Sequence, residues 1–298
     1  MRDIGLITND EPIERLFTQG MVIKDGAKMS KSLGNIVSPD EMVARYGADA
    51  ARLYSLFAAP PDRDLDWQDA GIEGIQRFLG RVYRFVLRNA KPDHRDLRRA
   101  VSTDLPPGAR AIQRRLHQTI KRVSDDFQGR WHFNTCISAI MELMNALYVY
   151  EEAAASAHVG RALLPATANS ATAPVGPSQP EPADVALLAE VQRDLVLLLA
   201  PFAPYLAHEL WEMLGEKGNL LKASWPQYDA ALAKEEELEI PVQINGKLRS
   251  KIVVPADASE EYILERALAD EKVQAAIAGK QIVKKIFVPG KLVNIVVR

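Results

Sequence analysis

In four segments between positions 69 and 214 the apolar residues repeat at the spacing of an α-helix, and this pattern limits the fold more than any other feature. One such face consists of Phe133, Ile137, Ile140, Met141, Met144 and Leu147. Residues three and four apart share one side of a helix, and an apolar side must pack against other helices. We therefore predict a bundle with helices at 69–89, 109–127, 133–152 and 182–214. Pro201 and Pro204 should kink or divide the last of these.

The last sixty residues change to the alternating pattern of β-strands. Asn245-Gly246 stands between two such runs, at 239–244 and 248–254. Asn-Gly favours a type I′ hairpin turn, because both central residues of that turn need positive φ. Further strands are predicted at 282–288 and 292–297, and helices at 259–268 and 271–278. This part of the chain is expected to form a small α+β domain.

A cationic loop precedes the predicted bundle. Its sequence is Lys28-Met29-Ser30-Lys31-Ser32, between Gly26 and Gly34. Lysine carries a compact charge on a long stem, so two lysines on a mobile loop can close over a polyphosphate and stabilise charge on a leaving group. The alternative is a solvated surface turn.

Two helices are predicted after this loop. Ser38-Pro39-Asp40-Glu41 predicts a helix start with a capping box, and this helix should end at Gly47. A second helix is predicted at 49–58.

Positive charge is concentrated in the first half of the bundle, although the whole chain has a net charge of −2. Residues 77–122 contain thirteen Lys and Arg against three acidic residues. Arg77, Arg81, Arg84 and Arg88 are spaced to form one stripe on a helix. Such a stripe attracts a phosphate backbone without reading its sequence, although many are only solvated helix faces.

A second basic group is predicted near the C-terminus. Lys247, Arg249 and Lys251 alternate along one predicted strand, so we expect them to share a face. They could bind RNA, or they could be edge-strand charges that prevent aggregation.

Composition excludes several classes of protein. The single cysteine, Cys136, permits no intrachain disulfide and no cysteine-based zinc site, and its apolar surroundings indicate a core position, as they do for Met141 and Met144. There is no signal peptide pattern and no apolar stretch long enough to span a membrane, so we expect a cytoplasmic protein.

One segment of the chain has a biased composition. Residues 153–182 are rich in Ala, Pro, Ser and Thr, and this composition predicts a variable loop.

Taken together, these motifs resemble the leucyl-tRNA synthetases, a family of class I aminoacyl-tRNA synthetases. Lys28–Ser32 resembles the second signature of the class. Further similarity lies at residues 19–22, 45–49, 65–67, 71–74, 133–135, 141–145, 201–204, 242–247 and 288–292. The resemblance implies a multi-domain, mainly α protein. Its parts would be the end of a class I catalytic domain (1–68), an anticodon-binding type bundle (69–228) and a small α+β tRNA-binding domain (239–298).

The resemblance also implies a reaction, in which leucine and ATP form leucyl-adenylate and the leucyl group passes to tRNA(Leu). Lys28 and Lys31 would act on the ATP phosphates, with Ser30 and Ser32 as further ATP contacts. Mg²⁺ would accompany ATP, and no metal site is expected in this chain. Arg77, Arg81, Arg84, Arg88, Lys247, Arg249 and Lys251 would contact tRNA.

The chain departs from the family in lacking a His-x-Gly-His first signature, and by resemblance it also lacks the editing domain. It is therefore expected to be catalytically incomplete by itself. Three hypotheses remain open: the C-terminal part of a leucine–tRNA ligase, a subunit of a split ligase whose partner brings the missing half, and a non-catalytic tRNA-binding relative.

Overall fold

The computed structural model describes residues 1–10, 13, 16–90, 105–129, 131–162, 182–235, 237–256 and 258–298. These form two compact units, Met1–Ala233 and Lys234–Arg298. The basic residues between 91 and 104, and most of the low-complexity segment, lie outside the described residues.

The first unit contains a small sheet near its N-terminal end. Strands β1 (Val22–Lys24), β2 (Ala27–Lys28) and β3 (Leu65–Asp66) have the order β2-β1-β3, with β1 antiparallel to β2 and parallel to β3. Helices α1 (Pro39–Tyr46) and α2 (Ala48–Phe57) lie between β2 and β3 in the chain. Gly47 ends α1 as predicted, with a φ of 89°. The predicted capping box is wrong: the Ser38 side chain makes no cap bond, and α1 begins at Pro39, whose ring fixes φ at a helical value.

Five α-helices follow among the described residues of the same unit: α3 (Asp69–Asn89), α4 (Pro107–Gln128), α5 (Phe133–Ala162), α6 (Pro182–Leu199) and α7 (Pro204–Met213). The helical bundle is thereby confirmed, as is the division of the last predicted helix by the prolines. The prediction of a loop from residue 153 is wrong for its first ten residues. They extend α5, because alanine-rich sequence continues a helix well.

The core of the first unit contains Phe85, Leu116, Ile140 and Met144, all buried. Cys136 is also buried, as predicted, and desolvation raises the pKa of its thiol to about 12. A thiol with so high a pKa is almost entirely protonated near neutral pH, so it behaves as a small apolar side chain.

Helix α2 packs into the same core as the bundle. Its buried Asp49 accepts hydrogen bonds from the amides of Tyr205 (3.3 Å) and Leu206 (2.6 Å), at the start of α7. A carboxylate at this place satisfies free N–H groups and the positive end of the helix dipole. Arg52 adds a bond of 3.1 Å from Nη2 to the carbonyl of Pro201. A domain boundary at residue 68 stays a prediction.

A buried histidine fixes the end of the first unit. His117 on α4 is 5% exposed, and its Nδ1 accepts a hydrogen bond from the amide of Asp229 at 3.1 Å. Gln118 donates from Nε2 to the carbonyl of Ala233 at 3.1 Å. Burial lowers the pKa of His117, while the nearby carboxylate of Asp229 opposes this effect. The imidazole is therefore held in its neutral, accepting form.

We expect the stability of the chain to fall in acid partly because of His117. The unfolded chain binds this proton more readily than the folded chain, so the unfolding free energy should decrease as pH falls below about 6.5. Denaturant unfolding of the wild type and His117→Gln at several pH values tests this. The variant should lose less stability than the wild type between neutral and mildly acidic pH. Parallel losses in the two proteins would contradict the prediction.

The second unit is a four-stranded sheet with two helices. Its elements are β4 (Glu237–Ile244), β5 (Lys247–Pro255), α8 (Glu260–Ala269), α9 (Glu271–Ile277), β6 (Ile282–Val288) and β7 (Leu292–Val297). The strand order is β5-β4-β7-β6, with β4 parallel to β7 and the other pairs antiparallel. The turn residues Asn245 and Gly246 have φ of 49° and 78°, which confirms the predicted hairpin. The α+β character of this part is confirmed.

Candidate functional site

The lysine loop begins as a tight hairpin. Strands β1 and β2 pair Ile23 with Lys28 and are joined by Asp25 and Gly26, whose φ values are 56° and 74°. A 3₁₀ turn follows at Lys31–Leu33 and ends at Gly34, which has a φ of 67° and donates to the carbonyl of Lys31. The loop thus has a defined backbone rather than an irregular one.

Both lysines of the loop present their side chains to solvent. Lys28 lies at the end of β2 and Lys31 at the first position of the 3₁₀ turn. Within the described part of the chain, neither ammonium forms a salt bridge. Each ammonium can therefore donate to an anionic ligand without first breaking an internal ion pair.

The two serines of the loop contact each other and the backbone. Ser30 caps the 3₁₀ turn, its Oγ accepting from the amide of Leu33 at 3.3 Å. The hydroxyls of Ser30 and Ser32 are 3.1 Å apart. This geometry shows how the serines shape the turn, and their contact with ATP stays a prediction.

Asn35 is a residue of this loop that the sequence analysis did not assign to the site. Its side chain is half-buried and bonds to four backbone groups of the loop and hairpin. The feature of the sequence that could have indicated this role is the position of Asn35 directly after Gly34, where the chain turns back toward the hairpin. The spacing of the two lysines gave no indication that a side chain seven positions beyond the first would hold the loop.

The four arginines of the stripe on α3 do not have the same surroundings in the structure. Arg81 and Arg88 turn toward α5, with their Cζ atoms 4.6 Å and 5.3 Å from the ring centroid of Tyr148. Arg88 also pairs with Glu151, at 2.6 Å between Nη2 and Oε2. This hydrogen bond raises the pKa of the Arg88 guanidinium and compensates part of its charge.

The other two arginines of the stripe are exposed, as Arg88 also is. The guanidinium of Arg77 extends along α3 toward Gly74, and that of Arg84 extends along the same helix toward Gly80. Arg84 also lines an open cavity of about 510 Å³ with Tyr83 and the exposed Tyr205. Arg77 and Arg84 are thus the members of the stripe best placed to meet an anion.

The prediction that Lys247, Arg249 and Lys251 share one face is wrong. The pairing of β5 with β4 shifts register at this point, so that Ser250 and Leu248 oppose successive residues of β4 and Arg249 is the additional residue of a bulge. Lys247 therefore lies opposite the buried Ile244, whereas Lys251 lies opposite Pro241 on the other side of the sheet. All three are exposed, but Lys251 is paired with Glu239 at 2.7 Å.

The described residues offer neither a metal centre nor a membrane span. No group of three or more His, Cys, Asp or Glu side chains among them could hold a metal ion. In the same residues, no helix is both long and apolar enough to cross a bilayer.

Two protein families match the sequence. The class I tRNA synthetases for Ile, Leu, Met and Val match residues 4–68, and the anticodon-binding domain of tRNA ligase matches residues 109–264. The second match covers more than half of the chain, and it contains helices α5 to α7 and all but the first two residues of α4. The chain therefore belongs to the class I tRNA ligases that carry this anticodon-binding domain.

More specific relatives define its place within that class. The leucine–tRNA ligase of Solibacter usitatus is 47% identical over all of this chain, which spans 32% of that protein. The ligase of Citrifermentans bemidjiense is 46% identical, again over all of the chain and 33% of the relative. A leucyl-tRNA synthetase of Agrobacterium radiobacter has been solved as a ternary complex with tRNA and LeuAMS. It matches this chain with a TM-score of 0.69 and 33% sequence identity, and the match covers all of this chain and 34% of the length of the solved chain.

The chain is thus a member of the leucyl-tRNA synthetase family and corresponds to the C-terminal part of these proteins, about a third of their length. The names of the relatives favour the ligase hypothesis over the split subunit and the non-catalytic relative.

Proposed function

We propose that this chain supplies the phosphate-binding lysine loop and the RNA-binding helices of a cytoplasmic leucine–tRNA ligase. The single observation that carries the proposal is the pair of exposed ammonium groups at Lys28 and Lys31, which have no ion-pair partner among the described residues and are held on a hydrogen-bonded loop. Membership of the family gives the reaction: leucine and ATP form leucyl-adenylate, and the leucyl group passes to tRNA(Leu).

In the first step, a leucine carboxylate oxygen attacks the α-phosphorus of ATP and the bond to the β-phosphate oxygen breaks. Negative charge then builds up on the leaving pyrophosphate. Lys28 and Lys31 stabilise that charge by donating hydrogen bonds to the β- and γ-phosphates, an effect that is stronger in the transition state than in bound ATP. Ser30 and Ser32 are proposed to complete the ATP contacts. Mg²⁺ enters with ATP as part of the substrate.

The second part of the proposal concerns RNA. Arg77 and Arg84 contact the tRNA backbone, with smaller contributions from Arg81 and Arg88, whose guanidinium groups lie over Tyr148. In the second unit, Lys247 and Arg249 provide further phosphate contacts, and Lys251 contributes less because it is paired with Glu239. Contacts of this kind position an RNA without reading its bases.

A salt titration tests the role of the arginines. The affinity of the purified chain for tRNA(Leu) should fall as salt rises, with a linear relation between the two logarithms. Neutralising one backbone contact, by Arg77→Gln or Arg84→Gln, should flatten the slope by roughly 0.7–0.9. Arg88→Gln is the matched comparison on the same helix, and it should change the slope less because Glu151 already compensates its charge.

Equal effects of the three substitutions would show that the ion pair with Glu151 does not limit Arg88. No effect of Arg77→Gln or Arg84→Gln would mean that the exposed part of the stripe is only a solvated helix face. The adenylation part of the proposal is tested separately, by leucine-dependent ATP–pyrophosphate exchange in the complete ligase.

A further inference from the structure

The side chain of Asn35 joins the two halves of the lysine loop. Its Oδ1 accepts from the amide of Ser30 at 2.9 Å. Its Nδ2 faces three carbonyl oxygens, of Lys24 at 3.1 Å and of Ala27 and Lys28 at 3.4 Å each. The carboxamide orientation is defined by these partners, because a flipped amide would place its oxygen against three carbonyls and its N–H groups against an N–H.

We propose that Asn35 is a positioning residue that sets the placement of Lys28 and Lys31 for adenylate formation. The inference rests on the proposed function of the lysines. It assigns no direct contact with ATP to Asn35, which acts through the backbone that carries the two ammonium groups.

The bonded backbone groups lie where they control both lysines. The carbonyl of Lys28 and the amide of Ser30 flank Met29, so Asn35 fixes the backbone on each side of the link between the lysines. The amide of Met29 itself donates to the carbonyl of Val22 at 3.2 Å. Ser30 in turn caps the 3₁₀ turn on which Lys31 lies. Without the Asn35 contacts, the bonds that the structure shows for the segment after β2 would be the one from Met29 to Val22 and the local bonds of the 3₁₀ turn.

The hairpin to which Asn35 binds is itself anchored to the bundle. Lys24, whose carbonyl accepts from Asn35, directs its ammonium to Asp69 in the first turn of α3, at 3.6 Å. Asp69 also accepts from the indole N–H of Trp67 at 2.8 Å. Asn35 therefore connects the loop to a hairpin that is itself paired with α3 through Lys24 and Asp69.

Kinetics of the complete ligase carrying Asn35→Ala are the first test. We expect kcat for leucine-dependent pyrophosphate exchange to fall by up to about a hundredfold, the scale for misplacing a reacting group by ~1 Å. KM for leucine should stay unchanged. Asn219→Ala is a matched control, because Asn219 caps another 3₁₀ turn through Oδ1 and the amide of Leu221. An equal fall in that control would overturn the specific role of Asn35.

A double-mutant comparison separates positioning from a general loss of folding. In a ligase that already carries Lys28→Ala and Lys31→Ala, Asn35→Ala should cause little further loss, since a positioning residue acts only through the groups that it places. Losses that simply add would overturn the proposal.

Hydrogen exchange of the chain itself gives a readout that does not depend on activity. In Asn35→Ala the amide of Ser30 should exchange roughly fivefold to tenfold faster, as expected for the loss of a hydrogen bond, while α3 keeps its protection. Unchanged exchange at Ser30 would overturn the role of Asn35 and leave the proposed function intact. Conversely, a ligase that tolerates Lys31→Ala would contradict the proposed function, whatever the exchange at Ser30 shows.

Discussion

Replacing Lys31 with alanine in the complete ligase will slow adenylate formation by about a hundredfold or more. Lys31 lies at the start of the 3₁₀ turn, exposed and without an ion-pair partner among the described residues. Removing a single donor that stabilises charge in a transition state costs about 2.7–4 kcal/mol. The measurement is leucine-dependent ATP–pyrophosphate exchange, with kcat and KM determined separately.

The effect should be confined to the chemical step. Affinity for tRNA should stay nearly unchanged, because the proposed RNA contacts lie on α3 and in the second unit. Lys222→Ala is a suitable control, since Lys222 is also exposed and lies at the end of another 3₁₀ turn. An exchange rate that survives Lys31→Ala would show that the loop is a solvated turn.

Replacing Gly20 with alanine will destabilise the sheet that carries the lysine loop, by about 3 kcal/mol. A Cβ at this position would lie 2.0 Å from the carbonyl oxygen of Arg63 and 2.7 Å from the amide of Asp64. These are backbone atoms, so no change of rotamer relieves the overlap. The segment leading into β3 must move instead, and the bond from the amide of Leu65 to the carbonyl of Met21 (2.8 Å) is the first that it would break.

Denaturant unfolding and hydrogen exchange at Leu65 and Trp67 measure this effect. Gly74→Ala is the matched control: Gly74 lies inside α3, and a Cβ there would meet only the end of the Arg77 side chain, at 3.8 Å. That substitution should raise stability by about 0.5–1 kcal/mol, because alanine loses less backbone entropy in a helix than glycine does. Equal stability of Gly20→Ala and the wild type would mean that β3 is not held closely against β1.

Local patterns were sufficient to predict most of the secondary structure. The α3 prediction at 69–89 agrees with the observed bounds, because its apolar face repeats at the helical period without interruption. Asn245-Gly246 predicted its hairpin because few residue pairs adopt positive φ at both positions. The end of α5 was misjudged because an alanine-rich segment is compatible with both a helix and a loop in isolation.

The candidate site was only partly predictable. Motif and resemblance identified Lys28 and Lys31, since the chemistry depends on residue type and spacing along one short segment. The sequence could not show that Asn35 holds that segment, because its partners are backbone groups of a hairpin that must form first. It also could not show that Arg81 and Arg88 of the arginine stripe lie over Tyr148, since that contact depends on a residue sixty or more positions away.

The sequence by itself determined the helical bundle, the α+β domain and the identity of the cationic loop. These follow from periodicity, turn chemistry and residue type, which act over a few neighbouring positions. Only the tertiary structure decided which of the described charges form ion pairs. It also decided that the bulge at Arg249 places Lys247 and Lys251 on opposite faces of the sheet, and that Asp49 caps a helix that begins at Pro204. The physical reason is that pairing, register and capping depend on distances between segments remote in the chain, and those distances exist only once the core has packed.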